Sequence, residues 1–167
     1  MNTTIITAVV CVFAASIVLS IPFLLLGKKR KGNEKQLAED NMDKAIVHIY
    51  CRKTLIDHAD IAEHNPIKGQ HGQKIVALAP GLHTFEGVFE TSDINMGKNV
   101  NLKSDMLSFD ITLEAGHTYT LSLYLYSPEQ RKAYYEGDVG VDVFSLPLDI
   151  EGKGESSKAY VICYQED

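Results

Sequence analysis

The first 27 residues carry no charged side chain, and the first charges of the chain are the consecutive basic run Lys28-Lys29-Arg30-Lys31. Residues 5–26 are almost entirely apolar. At about 1.5 Å per helical residue, a stretch of this length spans a hydrocarbon core of roughly 30 Å. We therefore expect residues 1–27 to form one transmembrane anchor, which would hold the rest of the chain at a membrane surface.

A cleaved signal peptide is the alternative interpretation of this segment. It requires a basic stretch before the apolar core, a shorter core, and small residues at the cleavage site. The residues before the basic run are Phe23-Leu24-Leu25-Leu26-Gly27, and residues 1–4 contain no basic side chain. The sequence therefore favours a retained anchor.

The basic run also predicts the orientation of the anchor, because short basic flanks stay on the cytoplasmic side. We expect a single-pass protein of the inner or plasma membrane, with its amino terminus outside and residues 28–167 in the cytoplasm. Export of the domain is the alternative. The membrane-flank residues Lys28, Lys29, Arg30 and Lys31 can also contact anionic lipid headgroups, each contributing about 1 kcal/mol near the surface.

Charge and composition divide the remainder into two parts. Residues 28–43 read as a basic flank and polar tether, and residues 44–167 as one domain. Residues 41–167 hold 19 of the 22 acidic residues and 11 of the 16 basic ones, a net charge of −8. Binding to nucleic acid requires a basic face that neutralises phosphates, so nucleic acid is not expected as a partner.

Apolar residues in the domain recur with period two, the pattern of half-buried strands. Two such runs, 107–113 and 118–125, flank the turn Glu114-Ala115-Gly116, so we expect them to form an antiparallel hairpin. The other strand candidates are residues 45–51, 74–79, 82–90, 139–148 and 159–164. The pattern predicts a mainly β fold, a single antiparallel β-sandwich of about seven strands.

Helix and loop signals are fewer. Ser127-Pro128-Glu129-Gln130 has the capping residues of a helix start and predicts a short helix that ends near residue 135. Residues 91–104 are predicted to form a long polar loop.

Three segments, residues 46–52, 78–83 and 113–119, together carry a family resemblance. A strand ending in Arg52, a Pro80-Gly81-Leu82-His83 turn, and the later turn at Ala115-Gly116 resemble those of small bacterial membrane-tethered β-sandwich proteins, many of them lipoproteins or domains of unknown function. The resemblance implies export in that group. This chain departs from the group because it lacks a lipobox cysteine.

Histidines suggest a metal site, but their spacing matches no metal motif. The cluster consists of His58, His64 and His71 with Asp57, Asp60 and Glu63. We expect a solvated loop, with metal binding left as an open alternative, and no cofactor. His83 and His117 each follow a turn glycine closely, which favours a structural hydrogen bond over catalysis.

No catalytic motif is found, so we do not expect an enzyme. The run at residues 152–158 lacks the order of a phosphate-binding loop, and there is no G-x-S-x-G elbow. Cys51 and Cys163 lie in strand-like runs, where burial is expected. The sequence leaves open whether they form a disulfide.

Two functions remain. The favoured one is a non-enzymatic membrane-anchored adaptor or accessory subunit that binds another protein, and the alternative is an exported domain that binds a small ligand, glycan or metal. Tyrosine is enriched at protein interfaces because its ring gives contact area and its hydroxyl gives direction. We therefore expect Tyr134 and Tyr135 to be exposed and to contribute to partner binding.

Overall fold

The computed structural model describes residues 25–95, 98–126, 141–148 and 158–166. Among these residues, no helix is both long and apolar enough to cross a membrane. Residues 1–24 of the anchor predicted over residues 1–27 lie outside the described ranges. The anchor therefore stays a prediction.

Helical backbone, named α1 here, covers residues 25–40. The basic flank and polar tether predicted over residues 28–43 is therefore helical over residues 28–40. The residues from Glu34 to Asp40 include strong helix formers, and Lys35 and Glu39 form an ion pair one helical turn apart at 3.5 Å. Helix propensity and a surface to pack on account for the helix in this polar segment.

Eleven strands and two short 3-10 helices follow α1 in the described residues. The strands are β1 (Ala45–Ile49), β2 (Cys51–Ile56), β3 (Ala59–Asp60), β4 (Ile67–Lys68), β5 (Lys74–Leu78), β6 (Gly81–Asn95), β7 (Lys98–Lys103), β8 (Leu107–Leu113), β9 (Thr118–Tyr126), β10 (Val141–Leu148) and β11 (Lys158–Gln165). The 3-10 helices are Ile61–His64 and Gln70–Gly72. The mainly β prediction is confirmed, but the described strands outnumber the seven expected.

The strands form two sheets. Sheet 1 has the order β10-β11-β9-β1-β5-β4, and sheet 2 has the order β3-β2-β6, with β7 and β8 both on the far edge of β6. β8 pairs with the first half of β6 and β7 pairs with its last six residues. The expectation of a wholly antiparallel fold is wrong at one position, because β1 and β9 run parallel.

One hydrophobic core joins the two sheets. Its members come from alternate positions of strands in both sheets, so one face of each sheet is apolar. Phe109 of sheet 2 stacks on Phe144 of sheet 1 at a ring-centroid distance of 4.5 Å. β1 is buried at all five positions, which makes it a central strand covered on both faces. Something therefore covers the outer face of sheet 1 at this strand.

The two clearest runs, β8 and β9, are strands as predicted, but they do not form a hairpin. β8 pairs with β6 in sheet 2, and β9 pairs with β1 and β11 in sheet 1. The turn between them crosses from one sheet to the other and is held by the strand β1, since Gly116 N–H donates to Lys44 O and Ile46 N–H donates to His117 O. Gly116 has a φ of +79°, which suits glycine.

The predicted polar loop at residues 91–104 is also a β structure. β6 continues to Asn95 and returns as β7, with six register pairs from Glu90↔Lys103 to Asn95↔Lys98. Backbone hydrogen bonds hold this ribbon whatever the polarity of its side chains, so the strand pair forms without the apolar alternation from which strands are predicted.

β2 contains a bulge that depends on a glycine in β6. The register between β2 and β6 shifts between Cys51 and Thr54, and Thr54 pairs with Gly87. A Cβ on Gly87 would lie 2.3 Å from Cys51 Sγ and 2.8 Å from Lys53 O. Glycine is therefore required here for the close approach of the two backbones.

Candidate functional site at the helix–sheet junction

α1 covers the outer face of sheet 1 over β1. Its half-buried positions are Gly27, Arg30, Glu34, Leu37 and Ala38. They recur every three or four residues and form one stripe along the helix, as expected of a helix that packs on a surface. The predicted membrane-flank residues divide accordingly, because Lys28, Lys29 and Lys31 are exposed while Arg30 lies on the stripe.

His48 lies beneath this helix, at the centre of the helix–sheet junction, which is the region where Glu34 of α1, His48 of β1 and Glu166 meet. It occupies an outward position of β1 and is only 7% exposed. Its Nε2 atom is 3.4 Å from Glu34 Oε1 of α1, and its Nδ1 atom is 3.4 Å from Glu166 Oε1 after β11. The Nε2 atom makes no hydrogen bond to the protein. The imidazole thus lies between α1 and the carboxyl-terminal end of the sheet, with one carboxylate near each ring nitrogen.

Thr120 on the neighbouring strand ties one of these carboxylates, that of Glu166, to the sheet. The Thr120 hydroxyl, which is the register neighbour of His48 on β9, donates to Glu166. Burial raises the pKa of the Tyr50 hydroxyl, and the nearby Tyr164, Glu166 and Glu34 raise it further. Tyr50 therefore stays neutral at physiological pH and adds no charge beside the two carboxylates and the imidazole.

A crevice of about 410 Å³ opens between α1 and sheet 1 at this junction. Lys31, Glu34 and Lys35 line it from the helix, and His48 and Glu166 line it from the sheet. The walls thus offer both signs of charge and one imidazole. This composition suits a small polar or zwitterionic molecule better than an apolar one.

The junction does not form a metal site. Glu34 and Glu166 face opposite nitrogens of the His48 ring, so their oxygens do not converge with one nitrogen on a single point. Over the part of the chain that the structure describes, no group of three His, Cys, Asp or Glu residues has the geometry to hold a metal ion.

The histidine cluster considered for metal binding forms separate pairs. His58 Nδ1 lies 2.5 Å from Glu86 Oε1, and His83 Nδ1 lies 2.7 Å from Asp57 Oδ2. Asp57 and His58 form the turn between β2 and β3, with φ values of 53° and 66°. The side chain of His71 lies outside the described part of the structure.

Asp57 and His83 join three segments of backbone. Asp57 Oδ1 accepts the Thr84 N–H at 2.9 Å, and His83 Nε2 lies 2.7 Å from Ala79 O. Burial alone would raise the pKa of Asp57, but hydrogen bonds from His83 and Thr84 and the charges of His83 and His64 lower it overall. The expected structural role of His83 is confirmed, because its ring bridges the turn before β6.

The two cysteines of the domain are free thiols, which answers the question left open by the sequence. Cys51 Sγ lies 3.2 Å from both Lys53 O and Val88 O at the bulge. Cys163 is fully buried in the core, and burial raises its pKa to about 12. Neither environment favours the thiolate that nucleophilic chemistry requires.

The predicted partner-binding residues Tyr134 and Tyr135 lie outside the described residues, so that prediction is neither placed nor tested. The sequence reading missed the junction, since Glu34, His48 and Glu166 are far apart along the chain. One signal was present, a histidine in the otherwise apolar strand Ala-Ile-Val-His-Ile.

Comparison with protein-family models, curated proteins and solved structures finds no match to this chain.

Proposed function

We propose that this chain is a non-enzymatic membrane-anchored adaptor or accessory subunit whose β domain binds another protein at the membrane surface. One observation carries the proposal. The apolar run of residues 5–26 leads directly into α1, and α1 packs on sheet 1 through Glu34 and His48. A domain joined in this way moves with its anchor, whereas an irregular tether would leave it free to rotate.

The dimensions and charges of α1 support this role. Its residues beyond the apolar run, 27–40, extend about 21 Å from the end of that run. Lys28 and Lys29 are exposed at the membrane end and suit anionic headgroups. The domain beyond is acidic, so an anionic surface would repel it and favour a position away from the lipid.

We place the domain in the cytoplasm because of the basic run at residues 28–31 and because Cys51 and Cys163 are free thiols, as is usual in reducing compartments. The competing proposal is an exported domain that binds a small ligand, glycan or metal. The crevice at the helix–sheet junction supports the small-ligand form of that alternative, since its volume of about 410 Å³ is in the range of small-molecule sites.

We assign no reaction to the domain. Two acid–base candidates in its described part make structural contacts: His83 lies between Asp57 and Ala79 O, and His58 contacts Glu86. His48 lines the crevice, but its two nitrogens face the carboxylates of Glu34 and Glu166. A general base needs a nitrogen or oxygen directed at a substrate.

Extraction of membranes tests the anchor. Full-length chain in isolated membranes should resist washing with high salt and with alkaline carbonate and should be released only by detergent. A matched variant with Lys28, Lys29, Arg30 and Lys31 replaced by Gln should resist carbonate equally, since the apolar run supplies the binding. Release of the unaltered chain by carbonate would contradict an integral anchor.

A single engineered cysteine tests the side of the membrane. Met42 is 77% exposed, so Met42→Cys provides an accessible thiol between α1 and β1. A membrane-impermeant maleimide should label this variant only after permeabilisation, with the unaltered chain as the control for Cys51 and Cys163. Labelling in intact cells would instead support the exported alternative.

A further inference from the structure

β8 is the long unprotected edge among the described strands. Edge strands usually carry devices that prevent pairing with other chains, such as short length, bulges, proline or lysine. β3 and β4 are only two residues long, and β7, the other strand on this side of β6, has a lysine at each end. β10 has a register shift between Asp142 and Phe144 and a proline at position 147. β8 has seven residues, an unshifted register against β6, and no proline or lysine.

The backbone of β8 offers hydrogen-bonding groups at its free side. Asp57 N–H donates to Thr84 O, so the backbone of Thr84 faces β2 and those of its neighbours in β6 face β8. The register between β6 and β8 then directs the backbone N–H and C=O groups of Phe109 and Ile111 toward β6. By alternation, the N–H and C=O groups of Ser108, Asp110 and Thr112 face the free side, where none of the described strands pairs with them.

The apolar side of this edge is incompletely covered. Leu107 of β8 is half-buried, and Phe144, Leu146 and Leu148 of β10, in the other sheet, are also half-buried against the core. An added strand next to β8 would place its inward side chains beside these groups. The edge therefore offers apolar contact as well as backbone pairing.

Charge identifies the occupant. Asp105, Asp110 and Glu114 are exposed in or beside β8, and there is no lysine or arginine between Lys103 and Arg131 in the sequence. A second copy pairing antiparallel about Asp110 would bring two Asp110 carboxylates together, and like charges directly opposite are destabilising. A strand with cationic side chains at these positions would be stabilised instead.

We propose that β8 binds an extended segment of another protein as an added antiparallel strand, with lysine or arginine opposite Asp110 and apolar side chains turned toward Leu107 and Phe144. This inference rests on the proposed function and specifies the chemistry of its partner. Backbone pairing supplies the affinity. Asp110, with Asp105 and Glu114 beside the strand, selects a basic sequence over a neutral or acidic one.

Capped peptides test the inference with the full-length chain in an uncharged detergent. The probe is the fluorescent peptide Val-Lys-Val-Lys-Val-Lys-Val, and its matched control has glutamate in place of lysine. Fluorescence anisotropy should show at least tenfold tighter binding of the lysine peptide. Equal binding of both peptides, or binding of neither, would overturn the proposal.

N-methylated peptides separate strand pairing from charge attraction without altering the protein. In an antiparallel added strand, the lysine N–H groups face β8 and the valine N–H groups face away. Methylation of the lysine nitrogens should weaken binding at least tenfold, and methylation of the valine nitrogens should change it less than threefold. Equal effects would show that charge alone attracts the peptide, which refutes strand addition.

Protein variants locate the peptide on β8. Asp110→Lys should weaken binding of the lysine peptide at least fivefold, while Asp40→Lys, the same charge change on α1, should alter it less than twofold. Thr112→Pro removes one outward N–H and keeps all charges, so it should also weaken binding at least fivefold. Circular dichroism checks that each variant is folded, and the methylated peptides decide the matter if Thr112→Pro does not fold.

Sedimentation identifies the competing occupant. Self-association of the full-length chain that Thr112→Pro abolishes would show that a second copy occupies β8 and would overturn the proposal. Carbonate extraction is a separate measurement of the anchor. A chain that stays in the membrane but binds no lysine peptide refutes the strand-edge inference and leaves membrane anchoring intact.

Discussion

Replacing Gly87 with alanine should destabilise the domain by about 2–3 kcal/mol, the upper part of the usual range for overpacking. The new Cβ would lie 2.3 Å from Cys51 Sγ and 2.8 Å from Lys53 O. Favourable contacts of carbon atoms lie at roughly 3.5–4.0 Å, so both approaches are more than half an ångström too short. Cys51 is held by the bulge, and Lys53 O is backbone, so neither retreats without distorting β2.

A double-mutant cycle separates the two clashes. Cys51→Ala alone should cost about 1 kcal/mol, the scale of one small group removed from a partly buried site. In Cys51→Ala/Gly87→Ala the sulfur clash is gone and the clash with Lys53 O remains. The double variant should therefore be about 1 kcal/mol more stable than the sum of the single effects.

Denaturant unfolding of the full-length chain in an uncharged detergent measures these differences. The sequence has eight tyrosines and no tryptophan, so tyrosine fluorescence and far-ultraviolet circular dichroism are the suitable probes. Gly32→Ala is the matched control, because that position is helical and nothing lies within 4 Å of an added Cβ. It should stabilise α1 by up to about 1 kcal/mol. A Gly87→Ala variant within 0.5 kcal/mol of the unaltered chain would refute the clash argument.

Three further predictions concern charge and reactivity. The pKa of Asp57 is lower in the folded chain than its ordinary value of 3.8, so its ionised form stabilises the fold above that pH and the stabilisation is lost as the pH falls below it. Asp57→Asn should therefore lower the free energy of unfolding by roughly 1 kcal/mol at pH 7. Melting curves near pH 3 should show a smaller difference between the variant and the unaltered chain. Maleimide at pH 7 should modify Cys163 only on unfolding and Cys51 slowly, and rapid labelling of native Cys163 would contradict its burial and its pKa of about 12. Glu34→Gln should speed hydrogen exchange in the last turns of α1 up to about fivefold, because it weakens the contact with His48. Glu39→Gln, on the exposed side of the helix, should have a smaller effect. Equal effects of the two substitutions would show that the contact with His48 does not stabilise α1.

Alternation predicted which residues form strands but not which strands are neighbours. β8 and β9 were identified from period two because each has one face on the core. The same pattern arises whether a glycine turn closes a hairpin or crosses between sheets. The hydrogen bond from Gly116 N–H to Lys44 O stabilises the crossing between the sheets, and it joins two residues that lie far apart in the sequence.

The junction was beyond sequence reasoning for a related reason. His48, Glu34 and Glu166 meet because a helix packs across a central strand and the chain end returns beside it. Composition identified the polar character of residues 32–43 but not the stripe of α1 that faces the sheet. The local pair at Asp57 and His83 was partly accessible, since a histidine after a turn glycine predicts a bridge to the turn.

The parallel pairing of β1 with β9 constrains the order in which the chain acquires its structure during synthesis. β1 is made early, but it lies between β5 and β9, and β9 is made much later. β11, the last strand, lies between β9 and β10 rather than at an edge. Sheet 1 therefore cannot close until β11 has been synthesised, and Glu166 reaches His48 only then. A chain that lacks residues 158–166 would leave the edges of β9 and β10 that face β11 without this partner strand, and two open edges in one sheet are sites where other chains can pair.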